Sequence, residues 1–277
     1  MINKDNFHHA IHELGIQNSS ICIHSSIKSF GCPIEGGAET VISAFIDEKC
    51  TIMVPAFDDE CEVYPPYHLR PRQNAAGDYS YWENKQFGVP KTFTVDSKDI
   101  TIEDMGILPY TLVSMQTRKR GNNLLNSMSA FGEYAVDLVS EQSAENVWAP
   151  FRKLCELNGY VLLMGVRLYR ATIIHYAEQL AGRSPFVRWA NNQDGIPSVC
   201  NTGGCSHGYE NFADLLKPIE KCITIGNSLW RCFPAKEMVD VCVKAIQETP
   251  SITHCHDTNC ERCNDAINGG PIWTVSE

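Results

Sequence analysis

An α/β fold, with a mostly parallel central sheet flanked by helices, is predicted by three observations. Apolar runs of strand length alternate with segments of helical periodicity along most of the chain. The run Tyr160–Met164 is apolar throughout, as a strand covered on both faces requires. That run stops at Gly165 and a segment with period 3.6 begins soon after it, the order of a strand–helix unit.

Taken in order, the periodicity predicts a helix over residues 4–15, a strand over 20–25, a helix over 37–48 and a strand over 51–56. Residues 58–98 are irregular and rich in Pro, Gly, Tyr and Asn. The stretch is too long for a mere connection, so an irregular substrate-facing insertion is expected at about 58–100. Glu103–Met115 reads as a helix partnered by the following segment, 118–135, and further helices are expected at Glu133–Leu138 and Ala149–Leu157. After strand Tyr160–Met164, the residues Ile173, Tyr176, Ala177 and Leu180 fall on one buried helix face. His175 and Glu178, three apart, share the opposite face. A polar insertion then runs to about Gly208, followed by a helix near Tyr209–Leu216 and a strand–helix pair over Ile223–Gln247. No repeat or low-complexity linker breaks this order. Residues 1–277 therefore read as a single domain with a Cys-rich tail at about 250–277.

Composition narrows the function classes. A chain of 277 residues with 43% hydrophobic content can bury a large core. No apolar stretch approaches the ~20 residues that span a bilayer, and the amphipathic N-terminus lacks the pattern of a leader peptide. A cytoplasmic location without a membrane partner is the expectation. The net charge of −10 argues against nucleic acid and is compatible with a small cationic ligand. Thirteen cysteines, odd in number and scattered, read as reduced thiols. The tail HCHDTNCERC is denser, with Cys255, Cys260 and Cys263 in a C-x4-C-x2-C spacing, and CNTGGCSH supplies Cys205 upstream. Soft ligands on two loops suit a structural zinc. An unmetallated Cys-rich tail is the other reading of the same residues.

The His175/Glu178 pair lies just past the carboxyl end of a predicted central strand, where open α/β sheets bind their ligands. An imidazole titrates near neutrality, so His175 suits a general base. The same spacing also describes an ordinary exposed helix face. Asp58 and Asp59 end strand 51–56 at the same sheet edge and suit a cationic amine, with Glu60 and Glu62 extending the acidic surface. The loop HSSIKSFG (His24–Gly31) follows a strand and precedes a helix, so its N–H groups and hydroxyls can face a phosphate or carbonyl, or cap the helix. Arg118, Lys119 and Arg120 form either a phosphate site or a solvated basic turn.

Four blocks carry a resemblance. ATIIHYAE (Ala171–Glu178), ICIHSSIKSFGCPIEGGAETVISAF (Ile21–Phe45), TIMVPAFDDE (Thr51–Glu60) and ITIGNSLWRCFPAKEMVD (Ile223–Asp240) resemble the aminoglycoside 3-N-acetyltransferases in family order and spacing, over about residues 6–245. The resemblance implies acetyl transfer from acetyl-coenzyme A to an amine, with the 3-amino group of a 2-deoxystreptamine aminoglycoside as leading acceptor and antibiotic resistance as outcome. It implies that His24, Ser25, Ser26, Ile27, Lys28 and Gly31 hold coenzyme A. Arg118 and Arg120 are then expected at the ribose 3′-phosphate, with Ser127 on the second cofactor loop. His175 becomes the base, Glu178 its partner, and Asp58 part of the acceptor pocket. Three departures stand out: Asn123-Leu124 replaces His-Pro, Ala149-Pro150 replaces Ser-Pro, and Ala171 replaces an Asn or Ser. Alternatives remain: a different amine acceptor, a metal-binding protein built on the Cys/His tail, or a Cys–His acyltransferase. Monomer and homodimer are both open.

Overall fold

The computed structural model describes residues 1–75, 79 and 91–272. Helix α1 (Lys4–Leu14) starts at a reciprocal cap between Asn3 and Asn6 and ends at Gly15, left-handed at φ 69°. Strand β1 (Ser20–Ser25), helix α2 (Gly37–Asp47) and strand β2 (Thr51–Pro55) follow close to their predicted ranges. The predicted helix Glu103–Met115 is broken at Gly106, whose φ of 86° is outside helical space. It becomes one turn, Ile102–Met105, and helix α3 (Ile107–Ser114).

The segment after α3 is a pair of short strands, β3 (Lys119–Arg120) and β4 (Met128–Phe131). Helices α4 (Ala135–Val139) and α5 (Ala149–Glu156) lead to strand β5 (Tyr160–Met164) and helix α6 (Ile173–Leu180). The predicted polar insertion is partly regular: β6 (Phe186–Asn191) and β7 (Pro197–Thr202) pair as a separate antiparallel ribbon. Strands β8 (Lys221–Ile225) and β9 (Ser228–Pro234) form a hairpin before helix α7 (Ala235–Glu248), and α8 (Glu261–Ile267) lies in the tail.

The main sheet is ordered β3-β4-β2-β1-β5-β9-β8. Its centre, β2-β1-β5, is parallel, and antiparallel pairs extend it on both flanks. Helices cover both faces. On β5, Val161 and Leu163 join the core under α5, α6 and α7, while Leu162 and Met164 join the core under α1, α2 and α3. Double coverage explains why that strand is apolar at every position. The parallel strands β1, β2 and β5 all point their carboxyl ends to one edge, which is where the insertion and α6 meet them.

On α6, Ile173 and Ala177 are buried as the period requires and Tyr176 is partly buried, but Leu180, the helix's last residue, is 50% exposed. The insertion's described residues run beside the ribbon: the Val63 N–H donates to Trp189 O and the Phe93 N–H to Asn191 O. Residues 76–78 and 80–90 of the expected insertion, and the tail beyond residue 272, lie outside the described residues. Among the described residues, no helix is long and apolar enough to cross a membrane.

Candidate active site

At the carboxyl edge of β1, β2 and β5 the chain encloses a cavity of about 1070 Å³. His24, Ser25, Ser26, Ile27 and Lys28 line it from the β1 exit, Asp58, Asp59 and Glu62 from the β2 exit, and His175 from α6. These are sequence-predicted residues gathered from three separate stretches. Gly31, Arg118, Arg120, Ser127, Glu60 and Glu178 do not line it.

The His175/Glu178 pair is not an ordinary exposed helix face. His175 is 9% exposed and Glu178 8%, because three other elements close over them. Glu178 Oε2 accepts from His175 Nδ1 at 2.8 Å and from the Tyr209 hydroxyl at 2.8 Å, and that hydroxyl lies 2.5 Å from the same Nδ1. Arg183 Nη1 donates to Glu178 Oε1 at 2.6 Å and to Thr253 Oγ1 at 2.7 Å. Trp148 stacks on the imidazole at 5.4 Å between centroids and 13° between planes. A Cβ on Gly203 would stand 2.8 Å from His175 Nε2, so only a glycine fits against that nitrogen. The carboxylate therefore claims the Nδ1 proton and leaves the Nε2 lone pair for a ligand.

The charge balance of this group is clear in direction. Burial raises the Glu178 carboxyl, but bonds and charges from His175, Arg183 and Tyr209 outweigh it and hold the group below its ordinary value. The Tyr209 hydroxyl is pushed well up by burial and by Glu178, so it stays a donor.

His24 is a different case. Burial first, and the Arg170 charge second, pull it down to about 3, so it is a neutral ring. Its Nε2 lies 3.6 Å from Cys22 Sγ, the pairing a Cys–His acyltransferase would need. Burial pushes the Cys22 thiol far up, so this pair holds a neutral thiol beside a neutral imidazole and lacks a thiolate nucleophile. Among the described residues no cysteine lines the cavity.

Asp58, 4% exposed, accepts from the Glu60 N–H at 3.1 Å. Burial raises its carboxyl above the ordinary value, and the neighbouring Glu60 and Asp99 charges add to that rise. Such a group gains most from a cation in the cavity. Glu60 turns outward to pair with Lys91.

The reading of Arg118 and Arg120 is also corrected. Arg118 donates to the carbonyls of Val113, Asp96 and Ser97, and Arg120 to those of Ser97 and Ala56 and to Ser127 Oγ. Both are buried braces that tie the insertion to β3, and Ser127 is buried with them. Gly31 is the left-handed end of the β1 loop, at φ 71° against Asn227. The cations that do reach the cavity beside Lys28 include Arg167 and Arg170, which sequence reading passed over. They follow β5 directly, so the rule that singled out His175 applied to them too. Tyr209, Arg183 and Trp148 were also missed, and no local period marks them.

Asn123, at one family departure, donates to Ser143, Ala144 and Asn201 carbonyls and accepts from the Leu125 and Asn126 N–H groups. Leu124 packs in a small apolar cluster with Phe93 and Cys200. The substitution holds the second loop by polar bonds and leaves Asn126 lining the cavity, where its Oδ1 receives the Gly203 N–H at 3.2 Å.

Comparison with known proteins agrees with this architecture. The family model described as aminoglycoside 3-N-acetyltransferase matches residues 22–247. Aminoglycoside N(3)-acetyltransferase III of Salmonella is 29% identical over 200 residues, covering 68% of this chain and 64% of that protein. The chain thus aligns with somewhat under two thirds of that relative's length. The crystal structure of aminoglycoside acetyltransferase AAC(3)-IVa superposes with a TM-score of 0.75 at 19% identity, covering 97% of this chain and 98% of that one. A structure of AAC-IIIb with coenzyme A gives a TM-score of 0.70 at 19% identity, over 89% and 96% of the two chains. With the family model spanning most of its length, this chain belongs to the aminoglycoside 3-N-acetyltransferase family.

Proposed function

We propose that this protein transfers an acetyl group from acetyl-coenzyme A to an amine of a small polycation, the 3-amino group of a 2-deoxystreptamine aminoglycoside, and so inactivates the antibiotic. The observation that carries this reading is the His175 imidazole, braced by Glu178 through Nδ1 in the wall of a cavity that Asp58, Asp59 and Glu62 also line. Related proteins with this fold have been solved with a gentamicin, with apramycin and with sisomicin, and one with coenzyme A.

The residues divide the work. An ammonium cannot attack a thioester, so His175 Nε2 first takes a proton from the acceptor. The freed amine adds to the acetyl carbonyl and the carbon–sulfur bond breaks. The imidazolium returns its proton to the departing thiolate, and the second proton on the acylated nitrogen passes to solvent, so one proton is released per acetyl group transferred. Glu178 stabilises the transient imidazolium, and Arg183 keeps that carboxylate ionised. Asp58, Asp59 and Glu62 attract the cationic acceptor from the β2 side. Ser25, Ser26, Lys28, Arg167 and Arg170 offer hydroxyls and cations to coenzyme A from the β1 and β5 side. We place this activity in the reducing cytoplasm, which suits thirteen cysteines that form no disulfide.

Thiol release from acetyl-coenzyme A, measured against a panel of amines with product position fixed by NMR, tests the proposal. Release with 2-deoxystreptamine aminoglycosides and acetylation at the 3-amino group are expected. Release only with monoamines would assign a different acceptor class.

A further inference from the structure

Outside the cavity, the densest group of reactive side chains is a set of four cysteines. Cys205 lies on the loop after β7, Cys255 follows Thr253, and Cys260 and Cys263 bracket the first turn of α8. Their four sulfurs all lie within 4.8 Å of one another. A tetrahedral zinc with Zn–S bonds of about 2.3 Å places its sulfurs about 3.8 Å apart, so this group needs only a small contraction. A disulfide needs two sulfurs at about 2.05 Å and gives no reason for four to converge.

The surroundings suit thiolate ligands. The Cys255 N–H points at Cys263 Sγ at 3.4 Å. Cys263 is buried and the other three are half-buried. The nitrogens of His254 are committed elsewhere: Nδ1 lies 2.5 Å from Cys255 O and Nε2 3.0 Å from Asn264 Oδ1. The donor set is four sulfurs, which fills a tetrahedral zinc and leaves no position for water or substrate.

The position of the cluster gives it a purpose. Gly203, two residues before Cys205, presses on His175 Nε2, and Gly204 and Ser206 line the cavity. Tyr209, four residues after, holds Nδ1 and Glu178. Thr253, two residues before Cys255, receives Arg183, and Arg262, beside Cys263, lines the cavity. The two strands of chain already touch at Gly208, where a Cβ would stand 2.2 Å from Thr253 O. We propose that Cys205, Cys255, Cys260 and Cys263 bind one zinc ion as a closed tetrathiolate site, and that the metal clamps the loop of residues 203–209 to the tail so as to fix the wall around His175. The metal site stands without the acetyl-transfer reading; the naming of that wall rests on it.

The full chain, purified reduced and without added metal, is analysed for zinc, and stripped protein is titrated with zinc and with cobalt. About one zinc per chain is expected, with an intense tetrahedral cobalt spectrum bearing thiolate charge-transfer bands. Cys260→Ser is expected to weaken zinc binding at least about tenfold, and Cys222→Ser, exposed on β8, to leave it unchanged. Less than about a tenth of an equivalent of zinc in fresh reduced protein, together with no thermal shift on adding zinc, overturns the site. Disulfides among the four in protein handled under reductant overturn it as well. Hydrogen exchange then tests the clamp without any substrate. Stripping the metal is expected to speed exchange in 203–209 and 250–255 and to spare β1. Unchanged exchange in 203–209 overturns the clamp even where zinc binds, and neither result depends on which amine is acetylated.

Discussion

Two histidines line one cavity from adjacent parts of the sheet edge, and they have opposite characters. His24, on β1, has a thiol beside it and an arginine charge nearby, and it is pulled down to about 3. His175, on α6, has a carboxylate, a tyrosine and a buried arginine behind one nitrogen. Burial beside an arginine charge silences the His24 imidazole as a base. A carboxylate bonded to one nitrogen of His175 fixes the orientation of the ring. On the proposed function, the β1 loop is a surface to bind against and the α6 pair is the part that moves protons.

The largest expected effect breaks that comparison at its active end. His175→Ala should lower turnover by about two to four orders of magnitude while acetyl-coenzyme A still binds, read by thiol release beside calorimetry. His24→Asn should instead raise KM for acetyl-coenzyme A with a much smaller change in kcat.

Glu178→Gln comes next, with a loss of about one to two orders of magnitude in kcat, because the amide keeps the shape and loses the charge. Its stability signature has a definite sign. The folded-state carboxyl is held below its ordinary value, so it contributes stability above the unfolded value of about 4.3, and that contribution fades as pH falls through the depressed value. Denaturant melts of wild type and Glu178→Gln should therefore differ most near neutrality and converge in acid.

Asp58→Asn sharpens the binding side. Loss of that carboxylate should raise KM for a polycationic acceptor about tenfold and leave KM for acetyl-coenzyme A unchanged. Because its carboxyl sits above the ordinary value when the site is free of cations, acceptor affinity in wild type should fall earlier in acid than an exposed aspartate would dictate.

Cys22→Ala should do least, changing kcat by less than about twofold, with no acetyl-enzyme detected by mass spectrometry. An acetyl group found on Cys22 would reverse the contrast between the two histidines.

Much of the fold was legible because its central elements obey simple periods. The double-sided burial of Tyr160–Met164 and the 3.6 repeat of α6 can each be read from residue order alone. The β6–β7 ribbon was not, because its buried polar residues look like loop. Arg188 and the Val187 backbone are satisfied by Asn74, more than a hundred residues away. Arg118 and Arg120 mislead in the opposite way: a basic run looks solvated or phosphate-binding, and here the carbonyls of a distant segment absorb it. At the site, His175 and Glu178 were visible as a spaced pair past a strand. Tyr209, Arg183 and Trp148 come from elements whose approach only the tertiary fold decides. The convergence of Cys205 on the three tail cysteines shows the same divide, with three marked by spacing and the fourth brought by topology.

The most direct test of the account is the pH dependence of kcat at saturating acceptor, where Asp58 is held ionised by the bound cation, for wild type, His175→Ala and His24→Asn, followed by thiol release with one aminoglycoside. The account predicts an acid-side fall with one-proton slope in wild type and His24→Asn, and its disappearance in His175→Ala. An acid limb that persists in His175→Ala, or one that vanishes only in His24→Asn, would contradict the assignment of His175 as the base.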